Sequence, residues 1–214
     1  MSKAWLGGLQ RHSPVGMKRA VVGKAGGFTL IELLVAIGLG MVVLAAVTTS
    51  FMSQTRFYGA QEQVNEMEQN ARGALDLITR ELKMAGYKPN GGRFNGITYS
   101  TSQLLIRADL NANGSISTSS SLNEKITYTY DSTNKQIKRA LGNGTAEVLA
   151  DNITAFTFSY LNSAGAATTT SANIRQVSIS ITARTAKPDP NYTANGGYRT
   201  YTVTATITPL NLAL

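Results

Sequence analysis

Three hydrophobic patterns follow one another along the chain, and each predicts a different element. Residues 28–47 form an apolar run of 20 whose only charge is Glu32. That length lets a helix cross roughly 30 Å of hydrocarbon. Further on, Val64, Met67, Ala71, Ala74, Ile78, Leu82 and Ala85 recur at spacings of three and four, with Leu75 widening the stripe. This is one face of an amphipathic helix. Glu66, Glu68, Arg72, Asp76, Arg80, Glu81 and Lys83 fill the polar intervals. Asp76 and Arg80 stand four apart in the favourable order, which is worth a few tenths of a kcal/mol. Gly86 and then Pro89 stop the helix. A single helix over residues 28–85 would hold 58 residues and run about 87 Å at 1.5 Å per residue.

Beyond residue 89 the period falls to two. Strands are predicted at 103–108, 125–130, 136–140, 153–161, 174–183 and 198–208. The late ones are the clearest: Val177, Ile179 and Ile181 alternate with Ser178, Ser180 and Thr182. Alternation of this kind places one face on a core and the other in water. Residues 131–134 read as a hairpin turn, and segments 114–121, 163–172 and 186–197 as loops low in charge. A helix followed by strands implies an α+β fold, with the second half of the helix laid on an antiparallel sheet. The remaining 126 or so residues suffice for one head domain. The expected division is 1–27 amino-terminal leader, 28–47 membrane-spanning half of the helix, 48–88 amphipathic half, and 89–214 β-rich head.

Charge sharpens the picture at the amino terminus. Residues 1–27 carry Lys3, Arg11, Lys18, Arg19 and Lys24 and no acid. Basic residues before a span mark the cytoplasmic side. The whole chain has 20 basic and 12 acidic residues, whereas residues 28–214 have 15 and 12. The basic balance is therefore largely a targeting feature. Lys135, Lys138 and Arg139 are the only cluster in the head. A solvated strand face accounts for them, so no specific nucleic-acid ligand is expected.

Absent residues bound the chemistry. There is no Cys, and the only His is His12, inside the leader. Disulfides, thiol nucleophiles, Ser-His-Asp triads and the usual His or Cys zinc sites are excluded from residues 28–214. No other catalytic constellation stands out, and an enzyme is not expected.

Glu32 needs an explanation, because a charge inside a span costs about 2.5–3.5 kcal/mol on insertion scales. A secretory signal has an apolar core of roughly 7–15 residues, shorter than this run, and a plain anchor gives no reason for the carboxylate. The surrounding string GGFTLIELLVA, residues 26–36, resembles the cleavage and methylation site of type IV prepilins and their pseudopilin relatives. That resemblance implies cutting by a prepilin peptidase between Gly27 and Phe28 and N-methylation of Phe28. It also implies that Glu32 pairs with the amino terminus of a neighbouring subunit. ARGALDLITRELKMAGY, residues 71–87, and the segments IRADLNANGSI, NEKITYTYD and IRQVSISITAR look like the PilW group of minor pilins.

The expected function is then a minor pilin that helps begin or cap a type IV pilus. The alternatives are a J-type minor pseudopilin of type II secretion, or an adhesin-like head on a pilin stalk. Implied partners are the prepilin peptidase, major and minor pilins, the inner-membrane assembly platform and membrane lipid. The implied location is the inner membrane, single-pass with the head outside the cytoplasm, and then the filament, including its tip. Because the leader is long for this family, Met17 is an alternative start to Met1.

One further motif concerns a metal. Asp109, Asn111, Asn113 and Gly114 fit the opening of a calcium loop, D-x-[DN]-x-[DN]-G. Ser115 would add a main-chain carbonyl and Glu124 a closing carboxylate, although position twelve is Ser120 rather than Glu. The competing reading is an Asx-rich turn that needs no Ca2+ ion, since Asn and Gly suit turns by themselves.

Overall fold

The computed structural model describes residues 26–212. The leader cations, His12 and the two candidate starts lie outside the described residues. Two compact units divide at residues 51 and 52, and helix α1 (Leu30–Lys83) supplies backbone to both.

In the first unit the helix begins on a cap. Thr29 Oγ1 accepts the Glu32 N–H at 3.3 Å, and the Leu33 N–H reaches the Thr29 carbonyl at 3.1 Å. These bonds engage amide groups that a helix start otherwise leaves open. Every residue from 26 to 51 is exposed, among them Leu30, Ile31, Leu33, Leu34, Leu39, Val42 and Leu44. This stretch is long and apolar enough to cross a membrane. The helix continues unbroken through Gly38 and Gly40, beside which a Cβ would meet nothing within 4 Å. Thr48 and Thr49 turn their hydroxyls back to the carbonyls of Leu44 and Ala45, each at 2.8 Å. Their polarity is thereby met within the helix, as an apolar surrounding requires.

In the second unit the helical stripe is the core-facing one. Met67, Ala71, Ala74, Leu75, Ile78, Leu82 and Ala85 are buried, with Val64 partly so. After Lys83 the Met84 and Ala85 N–H groups bond three residues back, tightening the last turn. Gly86 then takes φ +79°, where its N–H bonds the Arg107 carbonyl at 2.9 Å. Gly96 crosses so close that a Cβ there would lie 2.3 Å from the Gly86 nitrogen. This crossing ties the helix end to the first sheet.

The strands make two antiparallel sheets rather than the single one expected. The first has the order β1 (Ile97–Thr98), β2 (Gln103–Arg107), β3 (Lys125–Asp131), β4 (Gln136–Leu141) and β5 (Glu147–Ala150). The second has β6 (Ile153–Leu161), β7 (Gln176–Arg184) and β8 (Thr200–Ile207). Only Asp151 and Asn152 separate β5 from β6, and Asn152 sits at φ +57°. This left-handed residue, a conformation Asn tolerates, redirects the chain out of the first sheet. The sheets are stitched by the Ile153 N–H to the Lys135 carbonyl at 2.8 Å and Tyr130 Oη to the Ile153 carbonyl at 3.0 Å.

Both sheets and the helix share one core. Leu104, Ile106, Ile126, Tyr128 and Ile137 enter it from the first sheet, and Ile153, Phe156, Val177, Ile179 and Ile181 from the second. On the outer face of β7 and β8, Ser178, Ser180 and Thr182 pair by hydroxyl with Thr206, Thr204 and Thr202, in keeping with cross-strand polar pairing. Tyr160 Oη donates to the Ser100 carbonyl at 3.2 Å, and burial pushes its phenol up to about 12. The hairpin turn forms where the sequence placed it: Asp131 Oδ1 accepts the Thr133 and Asn134 N–H groups. Segment 186–197 is tied down by the Arg199–Asp189 ion pair at 2.9 Å and by the Asp189 N–H to the Gly197 carbonyl at 2.8 Å.

Candidate functional site

The first candidate is the helix start. Gly26 and Gly27 are exposed, lie outside any helix or strand, and have open space around them. Phe28 follows at 84% exposure. An accessible backbone outside any helix or strand at residues 26–28 is what a protease needs to engage a peptide bond. Glu32 lies in the first helical turn, four residues beyond Phe28. Among the described residues no basic group forms an ion pair with it, and the first basic residue after it is Arg56. Its neighbours are exposed apolar side chains. Two features favour a carboxylate at this point. The helix N-terminus attracts negative charge, worth about 0.3–1 kcal/mol. Thr29 and Glu32 also have the spacing of a capping box, of which the Thr29 half forms.

The second candidate is the segment from Asp109 to Glu124, whose two end carboxylates are fully buried. Asp109 accepts the Asn113 N–H at 3.1 Å and the Gly114 N–H at 2.8 Å. Glu124 accepts the Asn111 N–H at 3.1 Å and the Ser117 N–H at 2.8 Å. Asn111 Oδ1 takes the Asn113 N–H at 3.0 Å, and Asn113 Oδ1 takes the Ser115 N–H at 2.9 Å. The structure therefore brings Asp109, Asn111, Asn113, Ser115 and Glu124 into one network: the Asp109, Asn111, Asn113 and Glu124 side-chain oxygens accept the loop's own amides, and Ser115 Oγ donates to Asn113 Oδ1. Among the described residues no group of three or more His, Cys, Asp or Glu comes together as a metal cluster. These bonds satisfy the loop's polar groups without an ion, as the Asx-rich turn requires. An amide-satisfied loop of this kind should have a melting temperature independent of millimolar calcium. Asp109→Ala should lower that temperature equally with and without the ion. A calcium-dependent rise, lost in Asp109→Ala, would favour the metal reading instead.

The Lys135, Lys138 and Arg139 cluster dissolves in the structure. Lys138 pairs with Asp131 at 2.7 Å, and that bond holds the Asp131 carboxyl well below the usual range. Arg139 forks onto Glu81, with Nη2 at 2.5 Å and Nε at 3.1 Å from Oε1. Tyr128, directly opposite Arg139 in the β3–β4 register, donates its hydroxyl to the same carboxylate. Burial first, and Glu81 second, push the Tyr128 phenol up, so it remains a donor. Glu81 is thus a buried anchor between helix and sheet, although sequence spacing put it among the outward polar residues. The signal available was its place next to Leu82 at the edge of the apolar stripe.

Comparison with known proteins agrees with both halves of the chain. Residues 23–48 match the prokaryotic N-terminal methylation motif, and residues 60–208 match the model of prepilin peptidase-dependent protein B. No curated protein matches. Among solved structures, a type IV-like pilin from Thermus thermophilus is similar at 13% identity and a TM-score of 0.46. It covers 70% of this chain and 100% of its own. With a family model spanning most of the chain and a methylation motif at the helix start, the protein belongs to the prepilin peptidase-dependent protein B family and is a type IV pilin-like protein.

Proposed function

We propose that this chain is a minor pilin, stored in the inner membrane by the first half of α1 and drawn from there into a type IV pilus. The observation that carries the reading is Glu32: a carboxylate with no ion-pair partner among the described residues, on a helix whose other side chains there are exposed and apolar. Such a surface is stable only in lipid or against other apolar helices. Such a charge needs a counter-charge at that depth. Cleavage between Gly27 and Phe28 by the prepilin peptidase frees an α-amine at Phe28. In a stack of identical or related helices, that amine is available to the Glu32 of a neighbour. N-methylation of Phe28 retains the positive charge and so preserves the pairing. The exposed glycines at positions 38 and 40 leave room for close approach of those helices.

The head then faces the exterior, and its work is to begin or cap the filament with other minor and major pilins on the assembly platform. The J-type pseudopilin reading shares every step but belongs to type II secretion. Deleting the gene discriminates between them. A minor pilin predicts a sharp fall in the number of surface pili with exoprotein secretion intact. Intact piliation with lost secretion would move the protein to the pseudopilus, and loss of surface attachment alone would make it an adhesin head.

A further inference from the structure

A cavity of about 430 Å3 in the head is lined by Arg93, Phe94, Arg107, Ser115, Thr118 and Lys125. It holds three cations and no carboxylate. Arg107 on β2 and Lys125 on β3 stand directly opposite each other in the strand register, and both are half-buried. Like charges in that position destabilise a sheet. Neither Arg93 nor Arg107 forms an ion pair among the described residues, and Lys125 Nζ is held only by the neutral Asn143 Oδ1 at 2.8 Å. The nearest acids along the chain, Asp109 and Glu124, are already committed to loop amides. An arrangement that concentrates positive charge at a cost in stability is explained by an anion held between the Arg107 and Lys125 side chains.

The wall of the cavity is preset. Asn90 Nδ2 donates to the Ala112 carbonyl, which ties the segment before Arg93 to the 109–124 loop. Gly92 comes so near that a Cβ would lie 2.8 Å from the Gly114 oxygen. The self-satisfied Asx network thereby acquires a role, as the rigid side of the pocket. The ligand chemistry follows from the lining. Guanidinium groups match phosphate oxygens in geometry as well as charge. The volume lies within the range of organic-ligand pockets, and half-buried Phe94 on the lining supplies an aromatic ring, the kind of group on which bases stack. We propose that this cavity binds one nucleotide unit of a single-stranded nucleic acid, with its phosphate toward Arg107 and Lys125 and its base toward Phe94.

The test uses the full chain in neutral detergent and a fluorescein-labelled single-stranded oligothymidylate, read by anisotropy across a series of salt concentrations. Arg107→Gln should weaken binding about tenfold, the scale of one charge-assisted hydrogen bond. It should also reduce the slope of log affinity against log salt by about one phosphate contact. Arg93→Gln, at an exposed loop position, should act in the same direction without any risk to the fold. Phe94→Ala should weaken binding with the slope unchanged. The leader cations are common to all variants, so differences between variants report the pocket. A second readout separates binding from structure: relief of the Arg107–Lys125 repulsion should leave the Arg107→Gln melting temperature equal to or above that of the parent. Parental affinity in both arginine variants would overturn the proposal. So would equally tight binding of polyglutamate of matched charge.

Discussion

Glu32→Ala should be processed normally, accumulate in the membrane and be missing from sheared filaments. The helix itself barely needs the side chain. The bond to Thr29 comes from the Glu32 backbone N–H, which alanine retains. The lost dipole interaction is worth only about 0.3–1 kcal/mol. In the filament the balance differs, because removal of one partner of a buried ion pair costs about 3–5 kcal/mol, or more than a hundredfold in an equilibrium constant. Glu32→Gln retains size and helix compatibility while removing the charge, so it should fail to the same degree. Immunoblots of sheared filaments against the membrane pool measure this directly. Normal incorporation of either variant would remove charge pairing from the mechanism.

The second large effect lies in the head. Glu81→Ala leaves Arg139 and Tyr128 facing a void where both now donate to one carboxylate. The Glu81 side chain is 8% exposed and that of Arg139 24%, so solvent screens the pair little. The expected loss is about 3–5 kcal/mol, against total stabilities of about 5–15 kcal/mol for ordinary domains. At about 2–4 °C per kcal/mol for a domain of this size, the melting temperature should fall by on the order of 10 °C. Tyr128→Phe removes only the hydroxyl and should cost about 1 kcal/mol. Replacing Glu81 and Arg139 together with Leu and Met should recover much of the loss, since an apolar pair of similar volume no longer strands a charge. A melting curve for Glu81→Ala within a degree or two of the parent would show that the helix is held by apolar packing alone.

The sequence made some of these elements legible and concealed others, for physical reasons. The apolar stripe from Met67 to Ala85 is long and strictly periodic, so both its helical form and its buried face could be read directly. The same holds for β7, where alternation runs through all 9 residues, whereas β6 alternates only from Phe156 to Tyr160, past a register shift between Ile153 and Ala155. β1 and β5 are 2 and 4 residues long, too short to show a period, and they form only because longer strands offer them a partner. The split into two sheets depends on the left-handed backbone at Asn152. A lone Asn-containing link does not distinguish that turn from an ordinary loop.

The candidate sites divide along the same line. The helix-start motif is contiguous, so Gly27, Phe28 and Glu32 could be picked out together. The Glu81–Arg139 anchor joins residues 58 apart, and the Arg107–Lys125 juxtaposition depends on strand register. Neither can be read from linear spacing. Proximity in sequence even misled at Lys138 and Arg139, whose charges are spent on Asp131 and Glu81. In the 109–124 loop the oxygen donors are spaced as for calcium and also cap the loop's own amides, so spacing alone does not separate an ion site from an Asx-rich turn.

The central claim is that this chain matures as a prepilin-type subunit, and the intact mass of the protein recovered from membranes and from sheared pili tests it most directly. The account predicts a chain that begins at Phe28, heavier by one methyl group, in both fractions. A chain that retains the leader, or one whose new amino terminus falls anywhere other than Phe28, would contradict it.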